Sequence, residues 1–360
     1  MTILHTFNNN ITCGSGLQLK PLSKNPEYYF ESTTLIFGRR NSGKTTIINE
    51  ILYLCKNLIP LCFVISTTNS SNNNFTNIIP DKCIFSELNE KWLIEIWNRQ
   101  KDVSEIYNIV NDVNNLYSLF KLIANNQEIE FFNKHNKLFI KFHKKINSLK
   151  NDNNKHKYLD EINKTKRIFT IKFLKNVIKK NIAKIDYKKL LPIQKITIKF
   201  IDFNPGILIV FDDCASLFKK WAKKNDIIKR IFYEGRHYHI TIIVSSQDDK
   251  EIESEYRKNT IVTIFTTEEA AIANFERKSN SFSKSKINMA QEVIKELFQS
   301  KISHAKLVYL ANDDSSFRYT IADIPPPFKM CSSILWNYVT RVKKDEQKNK
   351  KTNRFIESIK

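Results

Sequence analysis

The run from Thr34 to Thr46, TLIFGRRNSGKTT, is a complete G-x-x-x-x-G-K-[ST] phosphate loop, and it constrains this chain more than any other feature. Before it, Ser32 to Phe37 is a short apolar and β-branched run. After it, Ile47, Ile48, Ile51, Leu52 and Cys55 recur at helical spacing. Strand, glycine-rich loop and helix, in that order, are the context in which such a loop holds a triphosphate. Gly38 and Gly43 allow the tight turn, so that backbone N–H groups and the positive end of the helix face the phosphates. The loop residues Gly38, Arg39, Arg40, Asn41, Ser42, Gly43, Lys44, Thr45 and Thr46 are therefore the expected nucleotide-binding set. Lys44 is placed to reach the β and γ phosphates and Thr45 to ligate Mg²⁺.

Two later runs supply acids and a polar sensor. Gly206 to Cys214, GILIVFDDC, is an unbroken apolar strand ending in two carboxylates. This is the pattern of a buried parallel strand that delivers acids to the carboxyl edge of an α/β sheet. Asp212 is expected to hold the Mg²⁺ shell. Asp213, one residue on and off the metal, is the candidate to orient or deprotonate the attacking water. The run His239 to Gln247, HITIIVSSQ, is a second buried strand, and Gln247 at its end is suited to bond the γ phosphate and the lytic water.

These blocks, with Arg236-His237 ahead of the second strand and Arg257 followed by Asn259 ahead of the IFTT run, resemble the poxvirus-type genome-packaging ATPases of large DNA viruses. That group falls within the FtsK/HerA superfamily of ring-forming DNA pumps. The resemblance covers roughly residues 30–85 and 205–325, with the blocks in the family's order. It implies ATP and Mg²⁺ as cofactors and sequence-tolerant double-stranded DNA as substrate. It also implies a homo-oligomeric ring and capsid or portal-vertex proteins as partners. By the same resemblance Lys44, Asp213 and Gln247 act in catalysis, and Thr45 and Asp212 bind the metal. Asp213 stands where many members carry glutamate, one methylene longer. Arg236 and Arg257 are the candidates for an arginine finger inserted across a subunit boundary. A helicase, a recombination or segregation ATPase, and a DNA-binding structural protein with a nucleotide switch are the alternative readings.

Charge bounds the setting. Lys and Arg number 58 against 37 Asp and Glu, a net +21 that favours polyanionic partners. The excess is concentrated: residues 131–200 hold 20 Lys or Arg and 4 Asp or Glu. That stretch also explains why Lys44 and Asp212 lie so far apart in sequence, and residues 101–200 read as a basic helical insertion. Ile106 to Ile123 and Phe139 to Leu149 look helical, and Ile171, Leu174, Ile178, Ile182 and Ile185 repeat at helical spacing with lysines between them.

The expected architecture is an α/β P-loop NTPase of FtsK/HerA, RecA-like type. Its divisions are an N-terminal arm (1–30), a first core part (31–100), the insertion (101–200), a second core part (201–330) and a basic C-terminal tail (331–360). Leu61 to Ser66 and Lys82 to Phe85 read as further strands, and Thr67 to Thr76 as a Ser/Asn-rich loop. Thr267 to Phe275 reads as a helix and Ser279 to Lys286 as a basic loop. Lys306 to Leu310 with Phe317 to Ile321 read as a closing hairpin ahead of Pro325 to Pro327. From Arg341 on, a frayed helix or tail is expected. Neither a leading signal sequence nor an 18-residue apolar run is present. The six cysteines, with no C-x-x-C pair, read as thiols in a reducing compartment. The expected location is the host cytoplasm or a viral assembly site, with virion association and the nucleus open; secretion is not expected. His237 and His239, flanking Tyr238, read as structural, with a nucleotide-proximal role left open by their place beside Arg236.

Overall fold

In the computed structural model, the described residues are 10–67, 73–148, 155–214, 226–300, 302–313 and 316–359, the side chains of 348–359 excepted. The chain divides into two compact units, one formed by residues 1–100 and 205–360 and the other by 101–204.

The first unit is built on a ten-stranded sheet. Its strands are β1 (Ile11–Thr12), β2 (Gln18–Pro21), β3 (Thr33–Phe37), β4 (Leu61–Ser66), β5 (Ile84–Phe85), β6 (Ile207–Asp212), β7 (Ile240–Ser246), β8 (Val262–Phe265), β9 (Ala305–Leu310) and β10 (Phe317–Ile321). Their spatial order is β1-β2-β10-β9-β8-β3-β7-β6-β4-β5. From β8 to β5 every pairing is parallel, whereas β9 and β10 close that side as an antiparallel hairpin. The N-terminal residues supply edge strands, with β2 parallel to β10 and β1 antiparallel to β2.

The central strands are buried on both faces. Ile207, Ile209 and Phe211 of β6 enter one apolar cluster, while Leu208 and Val210 enter another. Alternate side chains of a strand point to opposite faces, so an unbroken apolar run is what a sheet covered on both sides requires. Helix α1 (Lys44–Cys55) covers one face through Ile47, Ile48, Ile51, Leu52 and Cys55. It also buries Glu50, which accepts from Lys24 Nζ and, at 3.2 Å, from the Asp323 N–H. Helix α2 (Glu90–Val110) contributes Leu93, Ile96 and Trp97 to the other cluster. Its Gln100 amide donates to Pro205 O at 3.0 Å and Tyr238 O at 2.8 Å.

The second unit is helical: α3 (Val113–Ile123), α4 (Asn126–Asn147), α5 (Lys155–Asn181) and α6 (Pro192–Lys199). The expected continuous helix from Ile106 to Ile123 is broken at Asn111–Asp112. There the Asp112 carboxylate accepts the Asn115 N–H at 2.7 Å and restarts the chain as α3. Helix α4 starts earlier than its apolar pattern suggests, because Asn125 and Glu128 form a reciprocal capping box. The α5 repeat ends at Asn181 and passes into a short 3-10 turn, Ile182–Lys184. Leu116, Leu119, Phe120, Phe132, Leu174 and Ile178 form the core of this unit.

The first unit is completed by α7 (Asp226–Glu234), α8 (Ser254–Lys258), α9 (Glu268–Glu276), α10 (Lys284–Gln299) and α11 (Ser333–Ile359). One expectation is corrected here, and another takes the helical one of its two forms. The basic serine-rich stretch is no continuous loop: Lys278–Asn280 is a 3-10 turn and Ser283 caps α10 by accepting the Lys286 N–H at 3.2 Å. The C-terminal segment is a long helix, held through Trp336 Nε1 to Met330 O (2.6 Å), Lys343 to Asp81 and Lys82 to Glu346 (2.7 Å). The Thr67 to Thr76 loop lies partly outside the described residues. No helix among the described residues is long and apolar enough to cross a membrane.

Candidate active site

The parallel strands bring β3, β6 and β7 side by side with their carboxyl ends on one edge, and the motif residues lie at those ends. At Gly38 a side chain is impossible. A Cβ there would lie 1.9 Å from the Thr266 hydroxyl, which is fixed in turn by bonds to Phe37 O (3.1 Å) and Ser42 Oγ (2.5 Å). Gly43 opens α1 with φ of 92°, a left-handed conformation that glycine adopts without strain. The loop is thus shaped by the end of β8 as well as by its own sequence.

Lys44 is buried, and its Nζ donates to Gly38 O at 2.8 Å and Arg39 O at 3.1 Å. Burial lowers its pKa, against the opposing fields of Asp213, Asp212 and Glu251. Asp212 is only 3% exposed; it accepts Ser245 Oγ at 2.5 Å and Ser66 Oγ at 3.4 Å. Desolvation raises its carboxyl above the ordinary value, Asp213 adds to the rise, and the Ser245 bond and Lys44 act against it. Asp213 has φ of 52°, uncommon for a non-glycine residue, and its N–H donates to Ser245 Oγ at 3.4 Å. Its Oδ1 is buried without a hydrogen-bond partner among the described residues. A strained backbone carrying an unsatisfied carboxylate oxygen is stored cost of the kind that collects at functional sites.

Lys44, Thr45, Thr46, Arg40, Asn41, Gly43, Asp212, Asp213 and Gln247 line one cleft of about 950 Å³, together with Thr67 and Asn74. Arg39 is exposed, and Ser42 is turned toward Arg39 O (2.7 Å) and Thr266. The donor set suits a hard divalent cation: a threonine hydroxyl and a buried carboxylate, oxygen ligands throughout. Its two serine bonds hold the Asp212 carboxylate in place.

The two finger candidates are placed differently. Arg236 is exposed on the 3-10 turn Gly235–Tyr238, at the amino end of β7 and so at the sheet edge opposite the phosphate loop. The Arg257 guanidinium is committed internally. It donates to Asn280 Oδ1 (2.8 Å), Ser279 Oγ (3.0 Å), Asp249 O and Ile252 O. Release from that network would leave several buried carbonyls without donors. His239 contacts Glu31, and His237 is exposed, with neither lining the cleft.

Three residues near the site carried no signal in their own motifs. Glu251 accepts from Ser246 Oγ and contributes to the field at Lys44. Arg277 holds buried Asp249 with a bidentate pair, Nε to Oδ2 at 2.8 Å and Nη2 to Oδ1 at 2.5 Å, just beyond the sensor strand. Lys306 on β9 is 8% exposed and donates to Thr266 O at 3.3 Å. A side chain on Gly43 would meet its Cε at 3.6 Å. Its place beneath the loop depends on β9 pairing with β8, which local sequence does not announce.

A phosphate loop on a central parallel strand, a buried acid on the next strand but one and a polar strand end between them define a P-loop ATPase. Within that class the chain is similar to several known proteins. Residues 140–311 match the family described as zonular occludens toxin (Zot), a range that takes in Asp212, Asp213 and Gln247 but not the phosphate loop. Uncharacterized protein B354L of African swine fever virus (isolate Pig/Kenya/KEN-50/1950) is 27% identical over 340 residues, covering 90% of this chain and 92% of that protein. Uncharacterized protein 075L of Invertebrate iridescent virus 6 is 32% identical over 74 residues, 21% of this chain and 29% of that protein. Among solved structures, the genome packaging NTPase B204 of Sulfolobus turreted icosahedral virus 2, in complex with ATPγS, aligns with 85% of this chain and 100% of its own, at 13% identity and a TM-score of 0.35.

Proposed function

We propose that this chain hydrolyses ATP with Mg²⁺ and couples each turnover to moving double-stranded DNA into a viral capsid. The observation that carries hydrolysis is the convergence of Lys44, Asp212, Asp213 and Gln247, from α1 and two adjacent parallel strands, on one cleft. The motif order and the Zot match support the coupling to DNA, and the viral relatives support a viral setting.

In this reading the loop N–H groups and Lys44 cradle the β and γ phosphates. Thr45 and Asp212 hold Mg²⁺, which when bound neutralises charge on those phosphates. Gln247 positions a water in line with the γ phosphorus. Asp213 Oδ1, which has no hydrogen-bond partner among the described residues, receives the water proton as the new P–O bond forms and the bond to ADP breaks. Of the two arginines, Arg236 is the one free to reach a neighbouring subunit, and we assign it the finger in a homo-oligomeric ring. Capsid or portal-vertex proteins at a viral assembly site are the partners of that ring.

The test is ATP turnover with and without long double-stranded DNA at two salt concentrations, beside Lys44→Ala and Arg236→Ala. Duplex should raise turnover, salt should weaken the stimulation, and mixing Arg236→Ala subunits with wild type should suppress turnover out of proportion to their fraction. Turnover indifferent to duplex DNA would rule out the translocase.

A further inference from the structure

Helices α4 and α5 pair antiparallel, and their contacts fix which way α4 faces. Phe131 and Phe132 stack on Phe173 at 5.2 and 5.7 Å between ring centroids. His135 lies on Phe169 at 4.8 Å, and further along His143 Nε2 meets Asn163 Oδ1 at 2.7 Å. At the other end the Asn181 amide donates to Glu128. These side chains line one side of α4, so its opposite side is presented away from α5.

That opposite side is a stripe of like charge. Lys134, Lys137, Lys141, Lys144 and Lys145 follow spacings of three, four, three and one, which places all five within about 100° of the helix circumference and along about 17 Å of its axis. All five are exposed, and none meets a carboxylate among the described residues, whereas Lys82, Lys179, Lys229, Lys250 and Lys343 each do. Within the sector the other residues are polar, with Glu130 as its one acid, at the N-terminal end. The exposed side of α5 adds Lys157, Lys164 and Lys172, with Glu161 and Ile168 between them.

Five cations held on one rigid face without counterions repel one another, and a polyanion of matching length removes that cost. Duplex DNA offers a phosphate about every 3.4 Å along each strand. Lysine, a flexible point charge, contacts phosphates without reading bases, and it is depleted from protein–protein interfaces. We infer that the lysine stripe of α4 is a duplex-DNA backbone contact, the surface through which the 101–204 unit holds the polymer that the ATPase moves. This rests on the proposed DNA-dependent function.

The experiment uses the full chain carrying Lys134→Gln, Lys137→Gln, Lys141→Gln, Lys144→Gln and Lys145→Gln together, against random-sequence duplex across a salt series. A charge-matched control carries Lys121→Gln, Lys184→Gln, Lys188→Gln, Lys189→Gln and Lys199→Gln. The stripe variant should lose about 5 from the slope of log affinity against log salt and bind about a hundredfold more weakly near physiological salt. The control should lose a minor part of that, and turnover without DNA should be equal in all three proteins. Equal losses in stripe variant and control would overturn the assignment, reducing it to net charge. Wild-type DNA binding by the stripe variant would also overturn it, and would give the face to an acidic protein surface instead. A wild-type chain that does not bind duplex would remove the DNA reading together with this one.

Discussion

The two units of the chain treat charge in opposite ways. In the sheet unit, ionised groups are buried and individually held: Asp212 between two serines, Asp249 by Arg277, Glu50 by Lys24. In the helical unit, lysines stand exposed in a row and, on α4, meet no carboxylate among the described residues. A buried group can act on one bond of one substrate, because its position and protonation are set by its neighbours. An exposed row sums many weak, screened attractions and so suits a long polymer of repeating charge. Each unit thus has an error to which it is insensitive. The sheet unit should tolerate changes in ionic strength, and the helical unit should tolerate loss of any single lysine.

The sharpest way to break this contrast is to remove one cation from each side. Lys44→Ala should reduce ATP turnover by about a thousandfold or more, equivalent to over 4 kcal/mol of transition-state stabilisation, as read by steady-state hydrolysis. No single lysine of α4 should change turnover by more than about twofold. Next in size is a core change confined to the helical unit. Phe120, 1% exposed among Leu116, Leu119, Phe132 and Leu174, should cost about 3–5 kcal/mol when cut to alanine. Two melting transitions, of which only one moves, would show that the units unfold separately. A single shifted transition would show that they melt together.

Much of the sheet unit was legible because its determinants are local. A phosphate loop constrains the residues on both sides of it, and strands buried on both faces write themselves as unbroken apolar runs such as Ile207 to Phe211. The ends of those runs carry Asp212 and Gln247, so the position of these side chains was legible along with the strands. What stayed hidden depends on distant pairing. Thr266 makes Gly38 obligatory, and Lys306 lies under Gly43, only because β8 and β9 return to the loop from far along the chain. Arg257 stood beside Arg236 as a finger candidate because its carbonyl partners, Asp249 O and Ile252 O, are invisible in residue types. In the helical unit the apolar repeats announced helices, but caps such as Asp112 and Asn125 set where they begin.

Lys306 sharpens the comparison from within the sheet unit, since it is a cation that is buried yet meets no carboxylate among the described residues. Desolvation lowers its pKa, with no opposing charge to offset it. Replacing it with methionine keeps the packing and removes the buried charge while giving up its bond to Thr266 O, so Lys306→Met should stabilise the nucleotide-free chain by about 1 kcal/mol in a denaturant titration. The same variant should bind ATP more weakly, because a positive charge beside the loop favours the phosphates. If stability is unchanged and affinity is unaffected, the lysine is neutral in the fold or hydrated, and the contrast between held and unheld charge fails at this position.

The smallest expected effect concerns pH, and its sign follows from Asp212. Desolvation raises its folded-state carboxyl above the value it has in the unfolded chain. Between those two values the folded chain binds more protons than the unfolded one, so stability falls as pH rises through that window and is greatest below it. This is the reverse of an ordinary paired carboxylate. A bound cation at Asp212 favours the ionised form, so Mg²⁺-nucleotide should bind more tightly as pH rises through the same window, releasing about one proton. Asp212→Asn removes the titration. It should raise the stability of the nucleotide-free chain by about 1 kcal/mol above the window, remove its slope within it, and abolish the Mg²⁺ dependence of nucleotide binding. The stripe variant of α4 should keep the wild-type stability profile through that window. A slope that survives Asp212→Asn would assign the titration to another buried carboxyl. Glu50 is the first to examine, since desolvation raises it too against its bond to Lys24.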